Sequence, residues 1–102
     1  ERFTIITRGN SFHLSRAQVE YDSPNYFSAA FLQHDFAEAR SKVLYTDRNP
    51  QLFALIVEHL SGYKILPLAE KALPQTMNAE LAHANLLADA EYFQLDQLGD
   101  QV

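Results

Sequence analysis

Histidine, carboxylate and hydroxyl side chains are the residues of this 102-residue chain that could do chemistry, and their spacing argues against it. The histidines are His13, His34, His59 and His83. None lies three or four residues from another, so no helix-borne pair of metal ligands can form. Cysteine is absent, which excludes disulfides and thiolate metal sites. Nucleophiles reduce to serine and threonine, and no Gly-x-Ser-x-Gly elbow occurs. The three glycines belong to no phosphate-cradling loop. Asp89 and Glu91 are close in sequence, but two apart on a helix they point in different directions. An enzyme or ligand site built on Tyr45, His59 and the nearby carboxylates finds no further support. The expectation is a non-enzyme with no cofactor and no metal.

The elements that would position any site can be read from pattern. Phe3-Thr4-Ile5-Ile6-Thr7 is β-branched and aromatic and suits a strand. Gly9-Asn10 signals a turn, and Phe12-His13-Leu14 reads as the returning strand of a hairpin. Ser15-Arg16-Ala17-Gln18 has the capping-box spacing and starts a short helix running to about Tyr21. Ser23 and Pro24 suit the N-cap and first position of a second helix. That helix carries Phe27 and Phe31 at helical spacing and should end near Leu32. Residues 33–42 are polar except for Phe36 and two alanines, and read as an exposed connection. Val43-Leu44-Tyr45 is a third strand.

Asn49 and Pro50 then open a core helix, by side-chain capping and by a fixed φ that suits the first turn. Leu52, Phe53, Ile56, Val57 and Leu60 share one face of it, and Gly62 is placed to end it. Ile65-Leu66-Pro67-Leu68 reads as a short edge strand, because Pro67 cannot donate to a ladder. Residues 70–76 read as a loop. Asn78 caps a helix from Ala79 to about Phe93. Leu81, Ala82, Leu86, Leu87, Ala90 and Phe93 would cover most of its circumference and bury it on more than one side. Leu95 and Leu98 suggest a short last helix. The order predicts an α+β domain, a small mostly three-stranded sheet covered by about five helices.

Length and composition fit one domain spanning residues 1–102, expected to be cut from a longer protein. With 47% hydrophobic and 21% charged residues the chain is globular in character. No apolar run approaches the ~20 residues that would span a bilayer, so no direct membrane contact is expected. Nothing argues for secretion, and the expected location is the cytoplasm, with the nucleus as an alternative. Residues 1–51 carry six basic and six acidic side chains, so the whole net charge of −5 lies in residues 52–102. An acidic half is a poor match for nucleic-acid phosphates.

Two features resist this plain account. Capping explains Asn49, but not Asp47-Arg48 before it. Phe36-Ala37-Glu38 sets an aromatic residue in a polar loop, where it either folds back onto the helix carrying Phe31 or serves as a partner's anchor.

Asp47-Arg48-Asn49-Pro50-Gln51-Leu52-Phe53, followed by Ile56 to Leu60 and Gly62, resembles the Asp-Arg-(Asp/Asn)-Pro-x-x-Phe segment of the T1 branch of the BTB/POZ fold. That branch occurs in potassium-channel tetramerisation domains and their soluble relatives. Leu86 to Leu95, with Leu98, is similar to the Leu-Leu-x-x-Ala-x-Tyr-Phe-x-Leu-x-x-Leu segment that ends such domains. Gly9, Phe12 and Ser15 fit the family's hairpin, and Ser23-Pro24-Asn25-Tyr26-Phe27 resembles a region shared across BTB domains. Arg8 departs from the family's Gly-Gly pair. The zinc-binding His/Cys set of some channel domains cannot be built without cysteine, which leaves the subunit number open from dimer to pentamer.

The resemblance implies a homo-oligomerisation and protein-interaction module of a larger adaptor. Arg8 and Asn10 at the hairpin and Asp47, Arg48 and Asn49 at the corner would meet the next subunit. On that reading Arg48→Glu should weaken self-association and spare the fold. The resemblance also implies two other uses. One is a substrate receptor of a cullin-type ubiquitin ligase, docking through Phe36 and Glu38. The other is the cytoplasmic tetramerisation domain of a potassium channel.

Overall fold

A computed structural model describes all residues, Glu1–Val102. Strand β1 (Arg2–Thr7) turns Phe3, Ile5 and Thr7 inward, as period-two alternation requires. Strand β2 (Asn10–Ser15) returns antiparallel to it, from Thr7 opposite Asn10 to Arg2 opposite Ser15. The turn residues are Arg8 and Gly9, with φ of 51° and 81°, the two positive values that a type I′ hairpin needs. The expected turn at Gly9-Asn10 is therefore shifted by one residue: Asn10 already pairs.

Helix α1 (Arg16–Tyr21) opens with the capping box read from the sequence, Ser15 Oγ accepting from Gln18 N–H and Gln18 Oε1 from Ser15 N–H. Helix α2 (Tyr26–Leu32) begins later than expected. Its cap is the buried Asn25, not Ser23. Asn25 Oδ1 accepts from Ser28 N–H at 2.8 Å while its amide donates to the carbonyls of Val19 and Asp22. One side chain thus satisfies two junctions, which Ser23 is too short to do. The stretch expected to be a loop contains helix α3 (Ala37–Ser41), closed by Lys42 in a left-handed conformation.

Strand β3 (Val43–Thr46) then pairs parallel to β1, with Thr46 opposite Thr7, giving the order β2-β1-β3. A parallel pair needs a long crossover, and α1 to α3 supply it. Helix α4 (Pro50–Leu60) follows, capped by Asn49 and ended by Gly62 at φ 92°. Residues 65–68 are not the edge strand expected: they form no ladder. Pro67 offers no N–H, and Ile65, Leu66 and Leu68 instead lay their side chains on the core. A single 3-10 turn, Glu70–Ala72, interrupts the next loop.

Helix α5 (Ala79–Tyr92) is capped by Asn78, and α6 (Asp96–Gln101) ends the chain. The expectation that α5 is packed on several sides is corrected. Leu81 is 46% exposed and Leu87 is half-buried, so burial is confined to the face carrying Ala82, Leu86, Asp89 and Ala90. The molecule is an α+β domain of three strands and six helices.

Aromatic rings hold the layers together. Phe27 of α2, Phe53 of α4 and Phe93 just beyond α5 meet pairwise, with centroids 4.9 to 6.0 Å apart. Phe12 adds its edge to Phe53 at 4.9 Å, joining the hairpin to the helices. Phe27, Phe53 and Phe93 are fully buried, each contributing about 2–3 kcal/mol by leaving water.

Candidate protein-interaction surface

The polar corner is built where three segments end together. Pairing of Thr7 with Thr46 brings the hairpin tip beside Asp47, and the Thr7 hydroxyl donates to the Arg48 carbonyl. Arg8 Nε donates to the Asp47 carbonyl at 2.9 Å, and Asn10 Nδ2 to the Arg8 carbonyl at 3.2 Å. Asn49 Oδ1 accepts from the N–H groups of Gln51 and Leu52 at 2.8 and 3.1 Å, so its side chain is spent on capping α4.

Arg48 turns across the corner towards α5. Its Nε and Nη2 both donate to Asp89 Oδ1, at 2.7 and 2.6 Å, and its guanidinium carbon lies 4.7 Å from the centre of the Tyr92 ring. Asp89 is 2% exposed, and its second oxygen has no hydrogen-bond partner. Burial raises the Asp89 pKa above the ordinary carboxylate value, and the hydrogen bond and charge of Arg48 oppose that rise. A cavity of about 190 Å³ lies between these groups, lined by Arg8, Asp47, Arg48, Asn49, Asn85 and Asp89 among others.

Five residues singled out in the sequence thus stand at one corner. Arg8, Asp47, Arg48 and Asn49 line its cavity, and Asn10 is joined to it through the Arg8 carbonyl. The expectation that Arg48→Glu would spare the fold does not survive the geometry. A carboxylate there would face a buried carboxylate. Phe36 and Glu38 lie elsewhere, at the start of α3. Phe36 is 45% exposed, so its ring does not fold away into the core.

Sequence reading missed a second polar cluster. Asp22 is buried, and its Oδ2 sits 2.8 Å from His59 Nε2. The same carboxylate accepts from Gln97 N–H on Oδ1 at 3.0 Å and from Leu98 N–H on Oδ2 at 3.1 Å. Asp22 therefore caps α6 from outside the helix while anchoring the end of α4. The two partners are 37 residues apart, and no spacing rule links them.

Comparison with known proteins supplies a further finding. The chain is similar to the BTB/POZ domain-containing protein YLR108C of Saccharomyces cerevisiae, 35% identical over 98 residues that cover 96% of this chain. That likeness supports a BTB/POZ domain. The α+β architecture described above is compatible with it. A second protein of the same yeast, the uncharacterized YDR132C, is 29% identical over 111 residues, again covering 96% of this chain. The chain spans 17% and 20% of the length of these two curated relatives. No protein-family profile matches the chain.

Proposed function

We propose that this chain is a BTB/POZ domain of the T1 type, serving as a non-enzymatic self-assembly and protein-interaction module of a larger cytoplasmic or nuclear adaptor protein. The observation that carries the reading is the corner itself. Asp47, Arg48 and Asn49, which match the T1 corner, and Arg8 of the hairpin are held together by bonds between the hairpin, the end of β3 and α5. A polar surface fixed in this way sets orientation and partner choice more than it adds affinity. Assembly of several copies would then raise the apparent affinity of whatever the flanking regions bind. Co-purification tests it: two differently tagged copies expressed together should be recovered in one complex, and recovery of each tag alone would count against self-assembly.

Exposure of Phe36 favours a second use within the same reading. Phe36 and Glu38 would dock the N-terminal region of a cullin scaffold, making the domain a substrate receptor. A pull-down with that region should be lost on Phe36→Ala, and no binding by either form would end this second reading.

A further inference from the structure

The sheet order β2-β1-β3 leaves two open edges, and they are not alike. At β3, Thr4 N–H donates to the Lys42 carbonyl, so Val43 and Tyr45 turn their own backbone groups outward. Ser41 Oγ already engages Val43, accepting from its N–H at 3.3 Å and lying 3.4 Å from its C=O. That edge is short and partly closed.

β2 is longer and has no such cover. The two-residue turn makes Thr7 and Asn10 a hydrogen-bonded pair, and bonded pairs alternate from there. Phe12 and Leu14 therefore bond to β1, while Ser11 and His13 turn their N–H and C=O groups away from it. No other backbone group of the chain meets them. Edge strands are ordinarily protected by a charge, a proline, a bulge or a covering loop. Asn10–Ser15 holds no charged residue and no proline, its register is regular, and Ser11 and His13 are exposed.

Alongside β2 lies an apolar groove of about 490 Å³. Phe12 forms one side of it, and Ala54, Leu55 and Val57 of α4 form the other. Phe12 and Val57 also pack on the core, but Leu55 is half-buried without belonging to it. Glu58 of α4 and Lys71 of the 3-10 turn line the same groove, and neither has an ion-pair partner.

We infer that β2 accepts an extended segment of a partner protein as a fourth strand of the sheet. Free N–H and C=O groups on alternate residues are matched by another extended backbone. Every second side chain of the added strand would face the helices, as Phe12 and Leu14 do on β2. Those positions call for large apolar residues, which would fill the groove against Leu55. Charge complementarity sets the flanks, an acidic residue beside Lys71 and a basic one beside Glu58. The occupant is thus a segment of alternating apolar and polar residues carrying one acid and one base. This surface is separate from the corner and from Phe36, and its use does not require self-assembly.

Selection from a phage-displayed library of random linear peptides against the folded chain tests this. Enriched peptides should share apolar residues at alternate positions and should slow hydrogen exchange at the Ser11 and His13 amides. Two variants separate the edge from the groove. His13→Pro removes an outward N–H that takes no part in the β1 ladder. Ala54→Glu places a carboxylate in the groove from an exposed position. Each should weaken the selected peptides at least about tenfold, with a melting temperature near that of the wild type. Methylating the peptide's own backbone nitrogens where they face β2 should weaken binding as much, with the domain unaltered. No enrichment, binding indifferent to that methylation, or equal binding by Ala54→Glu would overturn strand addition by a partner. Loss of self-association in His13→Pro, with no peptide selected, would assign the edge to a second copy and overturn it as well.

Discussion

Arg48 and Asp89 form an ion pair in which two guanidinium nitrogens converge on one carboxylate oxygen, at 2.7 and 2.6 Å, with only the arginine in reach of solvent. The pair welds the end of β3 to α5 through partners 41 positions apart in the chain. Breaking a buried pair by removing one member strands the other charge, which costs more than the pair's own net contribution.

Arg48→Ala should therefore destabilise the domain by about 3 kcal/mol, a fall in Tm of roughly 12 °C or more for a chain of this size. Arg48→Glu should be worse, because it adds a second carboxylate. Chemical denaturation of both variants measures this. Wild-type stability in Arg48→Ala would mean that the pair is dispensable.

Asp89 also makes stability depend on pH in a defined direction. Burial raises its pKa in the folded state above the ordinary aspartate value of 3.8, against the pull of Arg48. Between the unfolded and the raised folded pKa the native state binds more protons than the unfolded state, so this group's contribution to stability falls as pH rises. Asp89→Asn removes that component. The Tm of the variant minus that of the wild type should grow more positive as pH increases through the window above 3.8. A constant difference would show that Asp89 does not titrate there.

Asp22 should prove a keystone of the opposite end. Asp22→Ala removes the acceptor of His59 Nε2 and of the Gln97 and Leu98 amides at once. Buried donors left without acceptors should cost about 3 kcal/mol in total. Amide hydrogen exchange should show the Gln97 and Leu98 protons losing protection before those of the sheet. Uniform loss across the chain would indicate that α6 is not held separately by this carboxylate.

Arg8 separates folding from association. Glycine adopts φ 51° without the strain that a side chain brings, but it gives up entropy from the unfolded chain. Arg8→Gly should leave Tm within a few degrees of the wild type while weakening self-association. The two readings come from one sample, a melting curve and a concentration series of molar mass. A large loss of stability would instead assign Arg8 to the fold.

Local signals account for what the sequence made legible. The capping box at Ser15, the Asn49-Pro50 start and the Gly62 stop all act within a few residues, and each stands where the pattern placed it. The α+β class followed from strand and helix periods of the same short range. Misreadings arose where a distant partner decided the outcome. Asn25 displaced Ser23 as a cap because its amide reaches Val19 and Asp22. Leu81 matches the apolar period of α5 yet faces solvent, since only one side of that helix meets the core. At the corner, the Asp47-Arg48 prefix marked the place but not the arginine's direction. Asp89 lies 41 positions away, and only the packing of α5 against the end of β3 brings it close.

Self-assembly of this domain is read from its molar mass in solution. Light scattering after size separation, repeated over a hundredfold range of concentration, should give a small-integer multiple of 11.6 kDa at the upper end. The mass should fall when Arg8 is reversed to glutamate. A mass of one chain throughout the range would contradict the account.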